Sequence, residues 1–85
     1  MDESTKMNII IKYCGMWGYK PRAQLVGDEI LDRYSDAEVF LEVGNSGQFD
    51  VINEDEFGIT TIIFSKDKVN RFPDEGEIIN LLGEE

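Results

Sequence analysis

The sequence predicts one α/β domain of the α+β kind, with element order βαβββα and a four-stranded mixed sheet carrying two helices. Three observations lead there: a nearly unbroken apolar strand signal in residues 7–13, a helix-period segment close behind it, and three strand-period runs ahead of a last apolar helix. With 85 residues the chain makes one core and not two, because a domain this short buries only roughly 60–65% of the surface its unfolded form exposes.

Residues 7–13 (Met-Asn-Ile-Ile-Ile-Lys-Tyr) are rich in β-branched and aromatic side chains, the pattern of a central strand covered on both faces. The run ends in Cys14-Gly15-Met16-Trp17-Gly18. Pro21 then opens a segment in which Ala23, Val26, Ile30, Leu31 and Tyr34 recur at helical spacing. Strand, tight loop and helix follow one another, and a helix of that length bridging two strands makes those strands parallel.

Ala37, Val39, Leu41 and Val43 alternate with Glu38, Phe40 and Glu42, the period of a strand with one buried face. Residues 44–47 (Gly-Asn-Ser-Gly) end it. A third strand is expected over residues 49–52 and a fourth over 59–64, joined as a hairpin by an acidic turn at 53–58. That turn lacks the ligand alternation of a calcium loop and reads as a solvated tip. Asp74, with Glu77 three residues on, predicts a reciprocal cap for a last helix whose apolar face is Ile78, Ile79, Leu81 and Leu82.

Charge narrows the function classes. Eighteen acidic against eight basic side chains give a net charge of −10, which repels nucleic-acid phosphates and anionic lipid, so neither nucleic acid nor membrane is an expected partner. No apolar run approaches the ~20 residues of a membrane span, and the first six residues carry acids and lack an apolar stretch, so a soluble, cytoplasmic protein is expected. Residues 1–6 are expected to be disordered. One cysteine and no histidine argue against a metal site or an internal disulfide, and no resident cofactor is expected.

The single thiol stands out by its position. A sulfur placed where a strand gives way to a helix meets the helix's unpaired backbone N–H groups, which favour the thiolate. No acid occurs between Ser4 and Gly27, whereas Lys6, Lys12, Lys20 and Arg22 do, so half of the positive charge lies around Cys14 in sequence. Gly15 and Gly18 are expected to turn the loop tightly and leave little bulk over the sulfur. A small buried cysteine of purely structural role is the competing reading.

The loop Tyr13-Cys14-Gly15-Met16-Trp17-Gly18-Tyr19-Lys20 resembles the stretch around the redox motif of selenoprotein W and its Rdx relatives, which carry cysteine, two residues, then selenocysteine or cysteine. Residues 47–51 (Gly-Gln-Phe-Asp-Val) resemble the family's Gly-x-Phe-Glu-Val strand. Phe64-Ser65-Lys66 and Arg71-Phe72-Pro73 are similar to its Ser-Lys and Phe-Pro elements, in the same order. The resemblance implies a thioredoxin-like fold and thiol-redox work, by exchange with glutathione and protein thiols or by redox-dependent docking to client proteins.

Two departures bear on that implication. Trp17 occupies the second redox position, and the turn at residues 54–57 is longer than in typical members. With no second cysteine, a dithiol cycle within one chain is closed, and monothiol chemistry at Cys14 is what remains. The expectation is therefore a monothiol oxidoreductase with Cys14 as nucleophile and Lys20 and Arg22 drawing anionic thiols such as glutathione. The alternative is a non-catalytic interaction module that binds a protein through the loop residues Gly15, Met16, Trp17 and Tyr19.

Overall fold

The computed structural model describes residues 7–83 and orders them as β1 (Asn8–Cys14), α1 (Tyr19–Arg33), β2 (Glu38–Gly44), β3 (Phe49–Glu54), β4 (Thr60–Ser65), α2 (Lys66–Val69) and α3 (Glu77–Gly83). The four strands form one sheet in the order β2-β1-β3-β4. β1 pairs in parallel with β2, from Asn8 opposite Glu38 to Cys14 opposite Gly44, and antiparallel with β3. The expected central strand, parallel pair and hairpin are all present. The expected disorder of residues 1–6 lies outside the described residues.

The core is one cluster. Ile9, Ile11 and Tyr13 of β1 pack with Phe49 and Val51 of β3 and Phe64 of β4 under Ala23, Val26 and Ile30 of α1 and Ile78 and Leu82 of α3. Both long helices therefore lie on one face of the sheet. This corrects the expectation that β1 is covered on both faces: Ile10, on its other side, is only half-buried. Register aligns Ile10 with Phe40 of β2 and Ile52 of β3, and Ile52 with Ile62 of β4, so an apolar row crosses the face that no helix covers among the described residues.

Local chemistry sets the element ends. α1 starts at Tyr19, two residues before Pro21, because Gly18 takes the left-handed conformation (φ 95°) that side-chain-bearing residues resist. Pro21 then falls in the first turn, where its missing N–H leaves no helix bond unmade. Leu31 proves 41% exposed, and Tyr34 lies just past the helix, its N–H donating to the Ile30 carbonyl.

β3 runs two residues past its expected end, to Glu54. The turn tightens at Asp55, whose side chain accepts from the N–H groups of Phe57 and Ile59. The short α2 was not foreseen; it closes at Asn70, which is left-handed at φ 61°. α3 begins at Glu77 rather than near Asp74, and its cap is one-sided. The Glu77 carboxylate accepts from the Asp74 N–H, while the Glu77 N–H donates to the Asp74 backbone carbonyl instead of its side chain.

Candidate functional site

Cys14 is the last residue of β1, so its backbone is held by the sheet: its N–H donates to the Gln48 carbonyl at 2.7 Å. Cys14 as a whole is only 2% exposed. The expectation of an unshielded sulfur is thus corrected, because the strand's last pairing seats the thiol under the turn that leads into α1. That turn also supplies its one described polar contact. The Met16 N–H approaches Sγ at 3.4 Å, the geometry of an amide donor to sulfur.

Gly15 fits where it does because a Cβ there would lie 3.2 Å from Val43 Cγ1. The Tyr19 N–H closes the turn onto the Met16 carbonyl at 3.3 Å. Outward from this turn project Met16, 65% exposed, and Trp17, 99% exposed. The outward placement of Met16 and Trp17 leaves an apolar tip on the turn whose Met16 N–H meets the buried sulfur.

The other expected site residues diverge. Tyr19 does not join the apolar tip; its ring stands edge-on to Phe72 with centroids 5.1 Å apart, and Phe72 stands edge-on to Phe49 at 5.3 Å. The Arg22 guanidinium lies 4.2 Å from the Phe72 ring centroid, and the Lys66 ammonium 5.4 Å from it and 5.9 Å from that of Tyr19. Lys20 is exposed in the first turn of α1.

Arg22 also lines an open groove of about 420 Å³ between α1 and the chain after Phe72, where Glu29, Asp74 and Glu75 share the rim. Acids distant in sequence thus fold toward the cationic end of α1. Phe49, Phe72, Lys66 and Val43 are neighbours of the site that sequence reasoning did not assign to it. Phe72, Lys66 and Phe49 had a signal in the Phe-Pro, Ser-Lys and Gly-x-Phe elements; Val43 had none beyond strand period.

The approach to α3 is clamped. Arg71 makes two hydrogen bonds to Glu77, at 2.7 and 2.9 Å, and a third to the Phe72 carbonyl at 3.1 Å. The Arg71 hydrogen bonds, aided by the Asp74 N–H, lower the Glu77 pKa from 4.5 to about 2, and the same contact raises that of Arg71. Among the described residues no three acidic or cysteine side chains gather as a metal site, and no helix is long and apolar enough to cross a membrane.

Comparison with known proteins bears on the fold and the family. The model of the Rdx family matches residues 8–84. A crystal structure of a selenoprotein W-related protein from Vibrio cholerae superposes with a TM-score of 0.79 over 93% of this chain and 95% of that one, at 21% sequence identity. The fold is accordingly thioredoxin-like. No curated protein sequence matches the chain significantly.

Proposed function

The chain belongs to the Rdx family, and from that premise we propose that it is a thiol-redox protein in which Cys14 performs monothiol exchange with glutathione or a protein thiol. The carrying observation is the Met16 N–H directed at Cys14 Sγ at the junction of strand and helix, a donor in place for a sulfur bearing negative charge. The acid–base and bond changes balance without a cofactor. Cys14 releases its proton to solvent, its thiolate attacks one sulfur of oxidised glutathione, that S–S bond breaks, and the departing glutathione thiolate takes up a proton. Cys14 ends as a mixed disulfide, and an external thiol returns it.

Because Cys14 is 2% exposed, exchange requires the turn at residues 15–18 to swing away, with Gly15 and Gly18 as its flexible ends. The test is intact-protein mass after incubation with oxidised glutathione. One glutathionyl group is expected on the native chain, none on Cys14→Ser, and the adduct is expected to last until free thiol is added. A native chain that stays unmodified while a denatured control reacts would overturn the proposal. Trp17→Cys adds a second thiol at the family's spacing and is expected to release the glutathione by forming an internal disulfide.

A second reading has its own observation, the near-complete exposure of Trp17 beside Met16 on the turn that meets the buried thiol. An apolar tip of this kind anchors protein contacts. Under that reading Trp17→Ala abolishes partner binding and Cys14→Ser leaves it intact.

A further inference from the structure

We propose that the helix-free face of the sheet is a docking surface for a basic amphipathic helix of a partner protein. The surface is the row Phe40, Ile10, Ile52 and Ile62, one residue from each strand, with Phe40 46% and Ile62 55% exposed at its two ends. Four strands at ~4.8 Å spacing make the row about 14 Å long, which matches about ten residues of α-helix laid across the strands. Three or four apolar side chains at helical spacing would cover it.

Charge selects the occupant. Two residues along each strand from the apolar row, ~7 Å away, stand Glu42 and Asp50 on one side and Glu54 on the other, with Lys12 the one cation among them. An apolar stripe bordered by lysine or arginine places its cations over those carboxylates. A second copy of this chain, itself at net charge −10, would bring acids against acids. The face lies on the side of the sheet opposite α1 and α3, and its role is independent of Cys14.

The probe is a synthetic helical peptide of about 14 residues with a leucine stripe bordered by lysines, titrated into the isotope-labelled full chain at low salt. Chemical-shift changes are expected on the open face of β1 to β4, with affinity falling about tenfold or more in Ile62→Glu and again at high salt. Phe40→Ser, at the other edge of the sheet, supplies a second variant, and both are checked for native circular dichroism. The same peptide with glutamates for lysines is expected not to bind.

Any of four results overturns the proposal. These are no binding, equal binding by a scrambled peptide of the same composition, shifts confined to residues 14–19, or a dimer in sedimentation that Ile62→Glu dissolves. Cys14→Ser is expected to bind as the native chain does, which keeps this test separate from the redox reading.

Discussion

Two segments of this molecule lead into the helices that pack on the sheet, and they are built in opposite ways. Residues 15–18, entering α1, hold no side-chain cap, rely on a left-handed glycine, and leave Trp17 99% exposed. Residues 70–76, entering α3, are clamped by Arg71 on Glu77 and by Phe72 wedged between Tyr19 and Phe49. The first is closed by two amide donors, Met16 N–H to Cys14 Sγ and Tyr19 N–H to the Met16 carbonyl, with no side-chain clamp among the described residues. The second is clamped through side chains, and through Phe72 and Tyr19 it also braces the first turn of α1 beside that loop.

The largest expected effect removes the floor beneath both segments. Phe49 is fully buried and meets Phe72 edge-on, so Phe49→Ala should cost ~3–5 kcal/mol, much of the total stability of a domain this size. Urea denaturation measures it; a cost under ~1 kcal/mol would mean that Phe72 is not seated as described. Next, Gly18→Ala should cost about 1–2 kcal/mol through its φ of 95° alone, because the added Cβ meets nothing within 4 Å. A neutral result would show that the loop finds another path into the helix.

The clamp is sharpened by pH. Glu77 is held at about 2 against an ordinary 4.5, so its ionised form favours the folded state. Its contribution is complete above pH ~4.5 and is lost as pH falls toward ~2. Glu77→Gln should therefore be less stable than the native chain by about 0.5–1 kcal/mol at neutral pH, discounted for its partly exposed partner, and the gap should close in acid. A gap that stays constant from pH 7 to pH 2 would remove the ion pair from the account.

The smallest expected effect falls on the other segment. Trp17→Ala should change stability by less than ~0.5 kcal/mol, since a side chain 99% exposed gives up almost no packing. Thermal unfolding checks it. A large loss would place Trp17 against the fold and end the contrast between the two segments.

Much of the architecture was legible because it rests on local signals. The β-branched run of β1, the helical period of α1 and the alternation in β2 each act within a few residues of chain, and connection length alone made β1 and β2 parallel. The place of Cys14 at the strand end was equally readable. By itself the sequence determined the order of the four strands and the two helices packed on them, the central strand, the single thiol at its end and the lack of a second thiol. Only the tertiary structure decided that this thiol is buried, that Tyr19 turns to Phe72 while Trp17 points to solvent, that Arg71 reaches six residues forward to Glu77, and that Phe40, Ile10, Ile52 and Ile62 align on an uncovered face. Each of these depends on register and packing between segments far apart in the chain, where periodicity carries no information.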